Sequence, residues 1–99
     1  MFAQRVRSTS SFTYKNLMTF KYSNSTTDRY LYLMVGTKYG NAIKRNQLKR
    51  WVRITYHQTL LKYPNLGLMV RPINTELVFK DVQLCFQKLM LQLEGSKNE

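Results

Sequence analysis

The run KYGNAIKRNQLKRWVR, from Lys38 to Arg53, limits what this chain can fold into more than any other stretch. Six of its residues are Lys or Arg, and none is acidic. Gly40 interrupts the extended pattern before it, and Asn41 is a favourable N-cap for a helix that starts at Ala42. Since the residue before a proline disfavours helical geometry, the helix should end before Pro64.

With about 100° of rotation per residue, this helix has an apolar side and a basic side. The apolar side consists of Leu48, Trp51, Val52, Thr55 and Thr59. The basic side spreads over an arc of about 140° and consists of Arg45, Asn46, Lys49, Arg50 and Arg53. We therefore expect the helix to pack through one side and to expose the other to solvent.

The charge of the chain is unbalanced in the same region. The 99 residues carry 16 Lys and Arg against 5 Asp and Glu, which gives a formal net charge of +11. No carboxylate occurs between Asp28 and Glu76. The length predicts a single domain over residues 1–99, and the charge predicts a polyanionic partner. Nucleic acid, an anionic membrane and an acidic protein all remain possible at this point.

Three further segments have regular patterns. The segment from Phe12 to Tyr22 alternates like a strand, and a polar loop separates it from a second strand, Arg29 to Gly36, with which it should form a hairpin. A short apolar strand, Leu66 to Val70, follows, and then a helix from Val78 to Leu93. We expect a short helix around Phe2 to Arg7 and a frayed tail over residues 94–99.

Periodicity does not decide which side of the first strand is buried. Tyr14, Met18, Phe20 and Tyr22 share one side. If they point inward, they belong to the core and the opposite side is exposed to solvent. If they point outward, they form a platform on which unstacked bases can lie.

Groups that could catalyse a reaction are sparse. His57 has no carboxylate nearby in the sequence to orient it, and the five carboxylates are scattered. Cys85 is the single cysteine, which excludes an intrachain disulfide and fits a reducing compartment. No apolar run approaches the about 20 residues of a membrane span. We expect a cytoplasmic protein that does not catalyse by itself, although the Arg- and Ser-containing N-terminus also fits an organellar transit peptide.

The basic helix side has two interpretations. Runs of Lys and Arg often form nothing more than a solvated helix face, but such faces usually mix both signs. The missing carboxylates favour phosphate binding, and about five neutralised phosphates would give a log-log salt slope of about −4 to −5.

The basic run closely resembles the signature of the protein subunit of bacterial-type ribonuclease P. Lys38, Gly40-Asn41-Ala42, Arg45-Asn46, Lys49-Arg50 and Arg53 have the spacing of that family, and the resemblance extends from Phe2 to about Leu93. It implies an α+β fold like the second domain of ribosomal protein S5. That fold has a mixed four-stranded sheet with helices packed on it and a left-handed βαβ crossover, although such crossovers are normally right-handed.

The resemblance also implies a function. In this family a catalytic RNA with bound Mg²⁺ cleaves precursor tRNA to leave the mature 5′ end, and the protein itself holds no metal. The partners implied are the catalytic RNA and precursor tRNA, with no membrane and no obligatory protein partner. Carried over by position, the RNA contacts are Lys38, Arg45, Asn46, Lys49, Arg50 and Arg53, and the cleft for the single-stranded 5′ leader is lined by Phe2, Met18 and Phe20.

That assignment would place the side of the first strand that carries Met18 and Phe20 outward. Val78 stands where the family usually has a Ser or Thr helix cap. The same charge and fold resemblance would also suit a structural RNA-binding protein such as a ribosomal component. A protein nuclease acting alone is a weaker alternative, since no pair of carboxylates has the spacing of a metal or acid-base site.

Overall fold

The chain forms an α+β structure of one mixed sheet and two long helices. A computed structural model describes residues 10–23, 30–63 and 65–97. The strands are β1 (Ser10–Tyr14), β2 (Met18–Ser23), β3 (Tyr30–Leu33) and β4 (Gly67–Pro72), and the helices are α1 (Ala42–Thr59) and α2 (Phe79–Lys97), with a short 3₁₀ helix at Thr37–Tyr39. The helix expected around Phe2 to Arg7 lies outside the described residues.

The four strands have the order β1-β2-β4-β3. The β1–β2 and β2–β4 pairs are antiparallel, and the β3–β4 pair is parallel. The mixed four-stranded sheet is thus confirmed. Helix α1 connects β3 to its parallel neighbour β4, as a βαβ crossover does, while the left hand of that crossover and the likeness to ribosomal protein S5 remain predictions.

Two predictions about the strands were wrong. The predicted strand from Phe12 to Tyr22 is a hairpin of β1 and β2, because the chain turns at Lys15, whose φ is 51°, and the N–H of Leu17 donates to the carbonyl of Tyr14 at 3.1 Å. No glycine or proline marks this turn in the sequence. The predicted hairpin with the following strand does not form either, since β4 lies between β2 and β3.

The core lies between the two helices and one side of the sheet. It contains Met18 and Phe20 of β2, each with 0% of its surface exposed, and Phe86 of α2, whose ring meets that of Phe20 edge-on at 5.2 Å. Leu48 and Val52 of α1 belong to the same cluster. The predicted outward orientation of Met18 and Phe20 is therefore wrong. Each helix has an apolar stripe that must be buried, and both stripes pack against this side of the sheet.

The helix boundaries follow from local chemistry. The side-chain oxygen of Asn41 accepts from the N–H of Lys44 at 2.9 Å, which confirms the predicted N-cap, and α1 ends at Thr59 as expected. At the start of α2, the Asp81 carboxylate accepts from the N–H of Val78 at 3.1 Å and supplies part of the missing cap. Helix α2 continues to Lys97, four residues beyond the predicted end at Leu93, while the fraying of residues 94–99 stays a prediction. Glu94 pairs with Lys62 at 2.9 Å, which ties this last part of α2 to the chain after α1.

Gly67 provides a test of the sheet. Its position is buried, and a Cβ there would collide with the ring of Tyr30 on the neighbouring strand. Gly67→Ala should lower the free energy of unfolding by about 1–3 kcal/mol, and it should cost less in a chain that already carries Tyr30→Ala, because the ring it collides with is gone. Urea denaturation measures both. Gly36→Ala is the matched control, because a Cβ there meets no atom within 4 Å. Equal losses at the two glycines would contradict this packing.

Candidate nucleic-acid interface

The outer side of α1 is polar and open to solvent. Asn46, Arg50 and Arg53 are exposed, and Lys49 is half-buried. Arg45 differs from the prediction, because it is also half-buried and its Nε is shielded from solvent without a hydrogen-bond partner among the described residues. At about 100° per residue, Arg45 points in nearly the same direction as the buried Tyr56, which lies about three turns further along the helix, so Arg45 is at the boundary of the two sides. All five predicted helix contacts therefore keep some exposed surface, and the Nε of Arg45 is the atom among them that solvent does not reach.

The carboxylates of the described residues are engaged away from this side of α1. Glu76 pairs with Lys44 at 3.4 Å, Glu94 pairs with Lys62 at 2.9 Å, and Asp81 accepts from the backbone of Val78. Within the described ranges, no carboxylate forms an ion pair with the three cations Lys49, Arg50 and Arg53. Their charge is consequently available to an external anion.

The predicted contacts on α1 divide between two shallow hollows. Asn46 and Arg50 line one of about 370 Å³, together with Ile43, whose surface is 80% exposed. Lys49 and Arg53 line another of about 400 Å³, which lies between α1 and the strand β3. The basic side of α1 is therefore two adjoining surfaces, an outer one and one that reaches the edge of the sheet.

Lys38 lies apart from the helix contacts, on the side of the sheet that no described helix covers. It belongs to the 3₁₀ helix next to Tyr39, which is 5% exposed. Burial, followed by the charge of nearby Glu76, raises the pKa of Tyr39, so this phenol is neutral at physiological pH. The buried ring fixes the short helix that carries Lys38 at the edge of the uncovered side.

The uncovered side of the sheet forms a cavity of about 620 Å³. Its cationic lining residues are Lys21 of β2, Arg71 of β4 and Lys38, while Met34 and Met69 contribute apolar surface. We refer to it as the open sheet face. Lys21 and Arg71 were not among the predicted contacts, although strict alternation along β2 places Lys21 opposite the buried Phe20 and could have indicated it.

Two of the three residues predicted to line the leader cleft do not reach an open surface of the described residues. Met18 and Phe20 are fully buried in the core and line no open surface. Phe2 lies outside the described residues. The open sheet face is lined instead by the two sequence neighbours of Phe20, which are Thr19 and Lys21. Neighbouring residues of a strand point to opposite sides of the sheet. An alignment that is wrong by one residue therefore assigns the wrong side, and the aligned positions alone do not identify the side that binds.

The described residues bring together few groups for catalysis. His57 is exposed, and its ring lies edge-on to that of Tyr56 at 5.7 Å. No group of three or more His, Cys, Asp and Glu side chains that could hold a metal ion occurs in the described ranges. The helices of the same ranges include none with the length and apolarity of a membrane span.

Cys85 allows a simple chemical test of the core. Its side chain is buried, and burial, followed by the charge of Asp81, raises the pKa of its thiol to about 12. We expect iodoacetamide at pH 8 to label the folded chain only as fast as it unfolds, since the thiolate is the reacting form. Since the pKa is raised in the folded chain, the free energy of unfolding should fall as the pH rises from the ordinary thiol pKa of 9.0 to about 12. Labelling that outpaces unfolding would show that Cys85 is accessible.

Comparison with known proteins agrees with this architecture. The family model described as Ribonuclease P matches residues 1–94. The ribonuclease P protein of Thermotoga maritima superposes with a TM-score of 0.69 at 22% identity, covering 90% of this chain and 87% of that one. The Staphylococcus aureus ribonuclease P protein superposes with a TM-score of 0.71 at 16% identity, covering 94% and 87%. No curated protein sequence matches significantly.

Proposed function

Since this chain belongs to the ribonuclease P protein family, we propose that it assists the RNA- and Mg²⁺-dependent 5′ maturation of tRNA by binding both RNA partners. Helix α1 binds the catalytic RNA, and the open sheet face binds the single-stranded 5′ leader of precursor tRNA. The observation that carries this proposal is the uncompensated charge of α1 among the described residues. Three cations lie on one helix side while each described carboxylate is engaged elsewhere.

The outer side of α1 suits a structured RNA backbone. Asn46 and Arg50 are one helical turn apart on the outer surface, and Lys49 and Arg53 have the same spacing beside the sheet edge. Two parallel rows of donors can contact phosphates on either side of an RNA groove. Such contacts position a protein without reading base sequence, which suits a subunit that docks on one large RNA.

The open sheet face suits a single strand. Lys21 and Arg71 lie on the adjacent strands β2 and β4, and Lys38 lies at the edge of the same cavity. Met34 and Met69 add apolar surface on which bases can rest. A groove that combines cations with a floor for bases is the usual arrangement for single-stranded nucleic acid.

In this proposal Mg²⁺ is held by the phosphates of the partner RNA. Asp81 and the ion-paired Glu76 and Glu94 are committed to contacts within the chain. The role of the protein is to neutralise phosphate charge and to position the substrate, which lowers the Mg²⁺ concentration that the RNA needs.

The open sheet face can be tested separately from α1. Lys21→Gln with Arg71→Gln should weaken binding of precursor tRNA that carries a 5′ leader by about 25-fold at 0.1 M salt, since two phosphate contacts to a single strand contribute a salt slope of about 1.4. Binding of tRNA without a leader should not change. Fluorescence titration of the reconstituted complex measures both, and equal losses for the two RNAs would remove the leader from this surface.

The partner RNA can be identified by cross-linking in cells, followed by sequencing of the bound RNA. The proposal predicts one structured RNA together with tRNA precursors that retain their 5′ ends. Recovery of ribosomal RNA alone would instead indicate a structural ribosomal component and would overturn the proposal.

A further inference from the structure

The hollow between α1 and β3 contains chemistry that phosphate binding does not require. Its volume of about 400 Å³ is within the usual range of about 300–1,000 Å³ for small-molecule sites. Lys49 and Arg53 line one wall, and Tyr32 of β3 lines the other. Tyr32 is 57% exposed, so a ligand in the hollow can reach this residue.

The backbone of β3 adds polar groups to the same hollow. The N–H of Tyr30 donates to the carbonyl of Leu66, just before β4, at 3.3 Å, and the N–H of Met34 donates to that of Val70 in β4 at 2.8 Å. Along a strand, alternate residues point their backbone N–H and C=O groups to opposite edges, so every second residue between Tyr30 and Met34 faces away from β4. Those residues are Leu31 and Leu33, and among the described residues β3 pairs with β4 alone. Their backbone donors and acceptors therefore face outward along the hollow.

We propose that this hollow binds one unpaired nucleotide of the partner RNA. The phosphate contacts Lys49 and Arg53, the base stacks on the ring of Tyr32, and the edge of the base hydrogen-bonds to the backbone of β3. The inference rests on the proposed function only in taking the ligand to be RNA. It adds a site for a base to a helix that otherwise contacts the RNA backbone.

The combination of groups selects this ligand over a protein strand. An added strand would pair with the same backbone edge, but it would leave two cations unused unless it were acidic at the matching positions. A nucleotide uses the cations, the ring and the backbone edge together. Tyr32 also lies on the same side of the sheet as its partner residue Met69, which lines the open sheet face. An RNA strand can thus pass from α1 to that face across Tyr32.

The test separates the base from the backbone. Fluorescence anisotropy is measured with a short oligoadenylate and with an abasic oligomer of the same length, which keeps the ribose phosphates and lacks the bases. Tyr32→Ala should weaken oligoadenylate binding by about 5- to 100-fold and leave binding of the abasic oligomer unchanged. Tyr32→Phe should bind both probes like the unchanged chain, because the ring is kept. Lys49→Gln should weaken both probes equally.

The opposite results are equally clear. If Tyr32→Ala changes neither probe, or changes both alike, the base does not stack there and the edge serves another occupant, such as a protein strand. Circular dichroism of each variant verifies the fold, which an exposed ring should not affect. The test also distinguishes this inference from the proposed function. If Tyr32→Ala weakens oligoadenylate binding but the chain does not bind ribonuclease P RNA, the nucleotide site stands and the proposed function fails. If the chain binds ribonuclease P RNA but Tyr32→Ala has no base-dependent effect, only the nucleotide site fails.

Discussion

Replacing Phe20 by alanine should lower the free energy of unfolding by about 3–5 kcal/mol, the largest stability loss we expect from a single substitution in this chain. Phe20 is fully buried, stacks with Phe12 at 6.3 Å between ring centroids and meets Phe86 edge-on at 5.2 Å. Removing its ring leaves a cavity between the sheet and α2. Thermal or urea denaturation measures the loss, and a domain of this size should melt lower by about 4–8 °C for each kcal/mol.

Tyr32→Ala is the matched control, because it removes an aromatic ring from the opposite side of the same sheet. With 57% of its surface exposed, Tyr32 should contribute about 1 kcal/mol or less to stability. A Phe20→Ala chain that stays stable and loses RNA binding instead would show that Phe20 points outward, as the positional resemblance implied.

The side of β2 that is buried could have been deduced from the helices rather than from the strand. Alternation identifies two sides and assigns neither. The stripe of Val82, Phe86 and Leu89 on α2 needs an apolar partner, and Met18 and Phe20 supply it. The opposite side of β2, with Thr19 and Lys21, cannot cover such a stripe. The resemblance located the sequence correctly within the family, but the residue positions carried over from it implied the wrong orientation for Met18 and Phe20.

Local and non-local features differed in how far the sequence predicted them. Helix α1 was predicted with its N-cap Asn41 and its start at Ala42, because capping and helical periodicity act within a few residues. The turn at Lys15 was missed because its left-handed conformation has no glycine to mark it. The position of β4 between β2 and β3 depends on pairing across distant parts of the chain, which local patterns do not contain.

The candidate site was predicted in the same uneven way. The exposed contacts of α1 follow from periodicity, whereas the half-buried position of Arg45 depends on how closely the helix packs. Arg71 was missed because the predicted strand ended at Val70, whereas β4 continues through Arg71, which lines the same cavity as Lys21 of the neighbouring strand. A surface to which several strands contribute can be predicted only when the order of the strands in the sheet is known.

Replacing Lys49, Arg50 and Arg53 together by Gln should weaken binding of ribonuclease P RNA by about 100- to 500-fold at 0.1 M salt. Each phosphate contact contributes about 0.7–0.9 to the log-log salt slope, so removing three should reduce that slope by about 2.1–2.7. The fold should persist, because Arg50 and Arg53 are exposed and the Lys49 head group reaches an open hollow. Filter binding over a series of salt concentrations gives both quantities.

The control for this triple variant removes the same charge from other elements. Lys15, Lys80 and Lys88, which lie in the β1–β2 turn and on α2, can be replaced by Gln together. If binding depends on the side of α1 that faces the RNA, this control should lose much less affinity than the first variant. Equal losses would mean that net charge, and no particular surface, attracts the RNA.

The most direct test of the central claim is the cleavage of precursor tRNA by a bacterial ribonuclease P RNA at a Mg²⁺ concentration too low for the RNA alone. Adding this chain should restore cleavage at the mature 5′ end, and the chain with Lys49, Arg50 and Arg53 replaced should restore much less. Full restoration by the triple variant would contradict the role of α1. No cleavage with the unchanged chain, tested also with the RNA of its own source, would contradict the claim that it acts as the protein subunit.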